Sequence, residues 1–537
     1  MNKVLICDSY HFEKKIIDWY DKIFYLDDGA SVRVCDNIKI EEIKLYKFFM
    51  TAHKKTRELN KILLKRFSLN NSIHASLLKM MDEELYYTVR ILEVVESIRK
   101  RNMDAEISIL VRNNIYILPV SDILKIDIGN IKIISVKKDK FSIKKILSVF
   151  RVFLLVVIGF FVKKKYQRNI FFLHNDKVSF SFAKPYLDNN TITYPFFSFS
   201  LKCRSMHYDE KEYISSKFIV LSELFMGYKR FKANKKNIVK LDMDSNLVKL
   251  YLDRLCELEI VSMMVLSLKH KFVNLKNIIG TFDTYSPIDY VTFLLNKMQN
   301  ITTICIPHGI NYKYKVNYIS YGTNIYTLWS RDHYDRMEFS NILDGHKVKK
   351  VITGNVVYSN TLKYKMEKIY EKKILIIGEY FSTDSYYSSP FNTEISKRLL
   401  SLVSKFVETH NCLLTIRTRL NDSYCKIANE YSSDRVKITS SDTSIIEDIN
   451  DNDLVISIFS NALHEALLLG KIVLQVNFLE IENYRSLAED KLVYYASTED
   501  ELNKILVLWY DGLLEYTDYN LHLEKYANSG NFFRIEL

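Results

Sequence analysis

Glycine and proline are scarce in this sequence, at 13 and 6 residues in a chain of 537. That shortage excludes collagen-like, low-complexity and linker-rich architectures. The seven cysteines, at positions 7, 35, 203, 256, 305, 412 and 425, form no CxxC pair and no Cys/His cluster. Neither a disulfide framework nor a zinc site is therefore expected, and a reducing cytosol fits. The opening residues, MNKVLICDSYHFEKK, carry no secretory h-region and no cleavage site. No internal repeat of fixed period stands out. The chain lacks a GxGxxG fingerprint, which argues against ordinary dinucleotide binding. It also lacks a DxD signature in a suitable loop, so a metal is not demanded. A net charge of +12 is not accompanied by an RNA-binding signature or a helix-turn-helix, so no nucleic-acid partner is expected.

What is present is a folded, multidomain composition. Apolar residues make up 48% and charged residues 26%, enough for a large core under a soluble surface. Basic runs stand at 163–168 (KKKYQR), 229–236 (KRFKANKK) and 347–350 (KVKK). Each is either a solvated face or a meeting place for nucleic acid, anionic lipid or a phosphorylated substrate. Residues 146–162, ILSVFRVFLLVVIGFFV, are 17 in number, contain Arg151 and are flanked by lysines. A spanning helix needs about 20 apolar residues. The run can be an interfacial helix, a core helix or a short span, and its basic flanks suit the interfacial form best.

Short apolar runs alternate with amphipathic stretches over most of the chain. Strands are expected at Val4–Cys7 and Ile107–Val111, and a long helix over 71–101. Residues 218–224 read as a strand or a helix start, and 247–272 as a helix. Beyond about 373 the alternation becomes regular: KILIIGEYF, CLLTIRT, DRVKITS, DLVISIFS and KIVLQVNF are strands with helices between them. Such alternation gives right-handed βαβ units and parallel sheets. The expectation is an α/β protein with two Rossmann-like domains facing a cleft. The first spans 1–357, with helical additions and a membrane-associating segment near 144–168. The second spans 358–520, and 521–537 forms a tail.

Ligands of open parallel sheets sit beyond the carboxyl ends of the strands. In the first domain those ends offer Asp283, then His308 and Gly309 after ITTICIP, and the Gly354-Asn355 turn. In the second they offer Glu379, Arg417, Arg419, Ser460 and Asn461. In DLVISIFSNALHEALLLGKIVLQ a strand ends at Ser460, Asn461 can cap the next helix, and Glu465, one turn on, can reach a ribose. His308 can deprotonate an acceptor hydroxyl or bond a donor phosphate, and Gly309 lets backbone approach a ligand. Asp283 and Glu379 are further base candidates. Arg417 and Arg419 can neutralise a departing phosphate. The plain alternatives are a packed, inert histidine, carboxylates serving as caps or surface ion pairs, and a βαβ unit with no ligand.

SIFSNALHEALLLGKIVL resembles the donor-nucleotide segment of GT-B glycosyltransferases that build bacterial surface polysaccharide (O-antigen or capsule), although Ile472 stands where proline is common. TFDTYSPIDYVTFLLNKMQNITTICIPHGI resembles the acceptor-side stretch of the same group, and VITGNVVYS its Gly-Asn segment. LLTIRTRLND departs from the group's basic-x-His-Pro pattern, with Thr418 and Arg419 in place of His-Pro. SIHASLLKMMDEE resembles an acidic helix start found in some surface-carbohydrate proteins. The resemblance covers roughly residues 275–500. It implies a GT-B-like, metal-independent glycosyltransferase with no cofactor beyond its nucleotide-sugar substrate and a lipid-linked glycan acceptor. Such an enzyme would be cytoplasmic and peripheral on the inner membrane face. A CDP-polyol phosphotransferase of teichoic-acid type, a nucleotide-sugar epimerase of the same architecture and a non-catalytic nucleotide- or glycan-binding subunit remain open.

Overall fold

The computed structural model describes residues 3–8, 19–27, 40–44, 48–66, 71–111, 116–129, 131–134, 143–161, 170–174, 191–195, 218–241, 243–272, 274–280, 295, 299–306, 323–331, 334, 348–354, 371–378, 393–418, 423–440, 443–458, 460–478, 486–516 and 519–526. Three parallel sheets follow one another along the chain. The first contains β1 (Lys3–Asp8), β2 (Lys22–Asp27), β3 (Ile40–Lys44), β4 (Glu106–Leu110) and β5 (Ile131–Ile133). Its helices are α1 (Phe49–Arg66), α2 (Asn71–Arg101) and α3 (Ile117–Leu124). The strand order is β3-β2-β1-β4-β5. Among the described residues this five-stranded sheet precedes the second along the chain.

The second sheet contains β6 (Ile170–His174), β7 (Thr191–Pro195), β8 (Asn277–Gly280), β9 (Thr302–Cys305), β10 (Ile325–Leu328) and β11 (Lys349–Ile352). Its order is β11-β10-β9-β8-β6-β7. The associated helices are α4 (Ile143–Phe161), α5 (Leu221–Val239) and α6 (Ser245–Lys271). Residues 218–224 thus enter a helix at Leu221, and the backbone N–H of Val220 before it donates to Ser267 Oγ at 2.9 Å. One apolar cluster runs from Val4 and Ile6 of β1 through Leu77, Met81 and Leu85 of α2 to Leu255 and Leu258 of α6 and Ile278 of β8. Each fully buried side chain of this kind is worth about 1.5–3 kcal/mol over an exposed one. Arg254 of α6 pairs with Glu84 of α2 across that junction. Helix α2 begins at Asn71, so Asp82, Glu83 and Glu84 lie well inside it and do not form an acidic helix start.

The third sheet has the regular alternation read from the sequence. Its elements are β12 (Lys373–Ile377), α7 (Thr393–His410), β13 (Leu413–Arg417), α8 (Ser423–Asn429), β14 (Val436–Thr439), α9 (Ile445–Asn450) and β15 (Leu454–Ser457). They continue as α10 (Ala462–Leu468), β16 (Ile472–Val476), α11 (Ser486–Glu489), β17 (Tyr494–Ala496), α12 (Glu499–Tyr510) and α13 (Tyr519–Tyr526). The order is β14-β13-β12-β15-β16-β17. Successive strand residues point to opposite faces. Ile374, Ile376, Leu454, Ile456 and Leu474 accordingly enter one core, and Leu375, Ile377, Val455 and Val473 enter the other. The protein is α/β with parallel sheets, as expected, and among the described residues the sheets number three. The segment expected as a tail from 521 starts inside α13, which packs on α10 through His522 and Tyr526.

Candidate functional site

The strand order of the third sheet reverses between β12 and β15, which is where open α/β sheets place their ligands. Three local devices shape the strand ends there. Ser457 Oγ donates to the carbonyl of Ile377 at 2.9 Å, tying β15 to β12. Gln475 Nε2 donates to the carbonyl of Ile458 at 2.8 Å and fixes the exit of β15. Gly378 follows β12, and a Cβ at that position would stand 2.4 Å from Tyr424 Cδ1, so only glycine lets β12 end against that ring.

The chain then turns into α10. Ser460, not Asn461, supplies the cap: Ser460 Oγ accepts from the backbone N–H of Ala462 at 3.3 Å, and the Asn461 side chain makes no capping bond. The turn is closed by Leu463 N–H donating to the carbonyl of Ser460 at 3.1 Å. Gly470, with φ of +66°, ends the helix region, and the Lys471 ammonium donates to the carbonyl of Asn450 at 2.8 Å.

Glu465 lies in the first turn of α10. The residue is partly accessible, yet its Oε2 is buried and has no hydrogen-bond partner. Burial pushes its carboxyl up to about 7, and the nearby Arg417 charge pulls in the opposite direction. The structure therefore brings together Ser460, Asn461, Glu465 and Arg417. The Arg417 guanidinium is already committed: it donates to Thr443 Oγ1 at 3.0 Å and to the Thr443 carbonyl at 2.8 Å, and it pairs with Asp448. Asp448 also accepts from Thr439 Oγ1 at 2.9 Å. This buried network fixes the ends of β13 and β14 against α9.

One aromatic cluster joins this region to the second sheet. Trp329, just past β10, meets His464 of α10 edge-on with ring centroids 6.3 Å apart. His464 Nδ1 and His522 Nε2 are 3.1 Å apart, both residues are fully buried, and Tyr526 stacks on His522 and hydrogen-bonds to Asp490. Burial lowers His522 to about 3, so that ring is neutral. The histidine pair and its role in joining α10 to α13 were not anticipated. His464 and His522 are 58 residues apart, and nothing in the local pattern around either one marks the other.

Of the remaining expected residues, Gly354 follows β11, is buried and has a φ of +70°, in the left-handed region that favours glycine. His308, Gly309, Asp283, Glu379, Arg419 and Asn355 lie outside the described residues. Among the described residues no group of three or more His, Cys, Asp or Glu could hold a metal ion.

No protein-family model and no curated protein sequence matches the chain. Solved structures resemble it distantly. The UDP-GlcNAc 2-epimerase from Neisseria meningitidis bound to UDP-GlcNAc shares 13% identity over 67% of this chain and 94% of that one, with a TM-score of 0.39. The S. aureus MnaA–UDP structure shares 11% over 68% and 93%, with a TM-score of 0.41. Acinetobacter baumannii MurG shares 9% over 67% and 96%, with a TM-score of 0.38. Likenesses this loose carry no argument about function, and the α/β architecture stands on the strand order of the chain itself.

Proposed function

We propose that the protein is a GT-B-type, metal-independent glycosyltransferase of bacterial surface polysaccharide (O-antigen or capsule) synthesis. It moves a sugar from a nucleotide-sugar donor to a lipid-linked glycan at the inner face of the cytoplasmic membrane. The observation that carries the reading is the partnerless Oε2 of Glu465 beside the switch point of the third sheet. A buried acceptor left without a donor costs about 1–3 kcal/mol. Glu465 is itself partly accessible, and a ribose hydroxyl donating to its carboxyl orients the nucleotide. Ser460 and Asn461 lead into the same helix, and the Arg417 charge near Glu465 is held by Thr443 and Asp448.

The acceptor side belongs to the second sheet, whose Trp329 reaches α10. In sequence, Asp283 and His308 follow β8 and β9, which lie next to β10 in strand order. His308 acts as general base, with Asp283 and Glu379 as the carboxylate candidates for the same task. The base takes the acceptor hydroxyl proton as that oxygen bonds to the anomeric carbon. The bond from that carbon to the donor phosphate breaks, and the nucleoside diphosphate leaves with Arg419 to balance its charge. Gly354, with its positive φ, lets backbone approach a substrate, and Gly309 and Asn355 are proposed for the same task. The nucleotide sugar is consumed as a substrate, so no cofactor is needed.

The test is transfer of radiolabelled sugar from UDP-, GDP- and CMP-linked donors into lipid extracted from membranes. The reading expects label in the lipid fraction, released nucleotide in equal amount, and loss of both in His308→Ala. Label incorporated from a CDP-polyol with release of CMP would replace it with phosphotransfer. No turnover of any donor, with nucleotide binding intact, would leave a binding subunit.

A further inference from the structure

All four exposed phenylalanines among the described residues lie on two touching helices: Phe153, Phe160 and Phe161 on α4, and Phe225 on α5. They are 62–78% exposed, and Leu221, Met226 and Tyr228 of α5 are exposed beside Phe225. Helix α4 meets the entry of α5 closely. Ile219 N–H donates to the Leu155 carbonyl at 3.0 Å, and a Cβ on Gly159 would stand 2.3 Å from the Ile219 oxygen.

Helix α5 has two faces. The inner one is anchored: Arg230 Nε donates to Glu259 at 3.1 Å, Glu223 faces His270 at 3.2 Å, and Ile238 is buried. The outer stripe runs Leu221, Phe225, Tyr228, Lys232, Lys235 and Val239, in steps of four and three residues. Its first half is apolar, and its second half is basic up to Val239. Lys229, Lys232, Lys235, Lys236 and Lys240 are all exposed, and none has an ion-pair partner among the described residues. The only acid on this helix, Glu223, is turned inward to Arg230 and His270.

We infer that the outer face of α5, together with the exposed side of α4, docks on an anionic lipid surface. The phenylalanines lie below the headgroups and the lysines sit on their phosphates. Charge selects this occupant over a second copy of the chain, because two such faces would bring like charges together. Helix α4 lies along the surface in this arrangement. No helix among the described residues is long and apolar enough to cross a membrane. The inference rests on the membrane-face part of the function proposed above and not on sugar transfer.

The experiment is co-sedimentation of the full chain with vesicles of phosphatidylcholine alone and of phosphatidylcholine with one quarter phosphatidylglycerol. Three proteins are compared: wild type, Phe160→Ser/Phe225→Ser, and Lys232→Gln/Lys235→Gln/Lys236→Gln. Each is also titrated with nucleotide. Binding should favour the anionic vesicles and fall with added salt. Each lysine is worth about fivefold near such a surface, so the triple variant should lose on the order of 100-fold in affinity. The phenylalanine variant should bind less at every salt concentration. Nucleotide responses should match wild type in both. Equal binding to both vesicle types, no binding to either, or variants that bind like wild type would overturn the inference. So would a dimer in size-exclusion chromatography that the same variants dissociate, since that would give the face to a second copy. Retained vesicle binding with no nucleotide response would support this inference while contradicting the transferase.

Discussion

Glu465 on α10 and Phe225 on α5 break the same rule in opposite directions. Glu465 keeps a buried carboxylate oxygen with no partner, and Phe225 keeps a large apolar ring in water. Each is unfavourable where it stands. The neighbours of each show how well the fold can do otherwise. Beside Glu465, Arg417 is engaged by Thr443 and Asp448. Beside Phe225, the inner face of α5 is packed and ion-paired on α6. A carboxylate with a buried unpartnered oxygen and an apolar ring left in water both point to something outside the chain. A buried polar acceptor calls for a small polar ligand, and an exposed apolar face edged with lysines calls for a lipid surface.

The largest effect on this contrast is expected from Arg417→Met. It leaves Asp448 buried without its cation and should cost about 3–5 kcal/mol in chemical denaturation. A loss under 1 kcal/mol would mean that the network is not structural and that Arg417 is free for a ligand. Glu465→Gln should act the other way. Between the ordinary 4.5 of a glutamate and about 7, the folded protein holds a proton that the unfolded chain has released, so stability falls as pH rises through that window. Removing the carboxyl should therefore stabilise the ligand-free protein at pH 8 by roughly 3 kcal/mol, at 1.36 kcal/mol per pH unit. Denaturation curves of both proteins at pH 5 and pH 8 would check the sign.

His522 has the opposite pH sign. The unfolded chain takes a proton near 6.5, whereas the folded protein resists one until about 3. Its neutral burial stabilises fully above 6.5, and that stability is lost as pH falls, by about 2 kcal/mol between pH 6.5 and pH 5. His522→Leu should flatten this slope in melting temperatures taken across that range; an unchanged slope would place the acid sensitivity elsewhere. The smallest effect on folding is expected at Phe225→Ser. An exposed substitution of this kind should change stability by no more than about 0.5 kcal/mol even while it weakens vesicle binding. A larger loss on denaturation would show that the ring is packed.

The third sheet was legible because each strand is an apolar run bounded by helices of ordinary length, and β12 to β16 fall where those runs stand. The first sheet was largely hidden. Its β3 is IEEIK and its β5 is only IKI, both at the sheet edges, where polar residues interrupt the apolar pattern. Glu465 could be picked out because it stands one turn past a strand–Ser-Asn turn. The position and type of Asn461 suit a cap, but the backbone there is already helical, so the Ser460 hydroxyl one residue earlier takes the bond. The engagement of Arg417 was not legible, since Thr443 and Asp448 lie 26 and 31 residues away along the chain. The basic run at 229–236 was visible as charge. That its lysines share a stripe with exposed aromatic rings became clear only once α5 was placed on α6.

The first measurement to make is calorimetric titration of the full chain with UDP, GDP, CDP and CMP at pH 6 and pH 8, for wild type and Glu465→Gln. A ribose hydroxyl donates to the ionised carboxylate, so wild-type affinity for one of these nucleotides should rise from pH 6 to pH 8, across about 7. Glu465→Gln should bind at least about tenfold more weakly at pH 8 and lose that pH dependence, since a lost charge-assisted bond is worth ~1.5–3 kcal/mol. Equal binding by both proteins at both pH values, or no binding of any nucleotide by wild type, would contradict the assignment of α10 as the donor site.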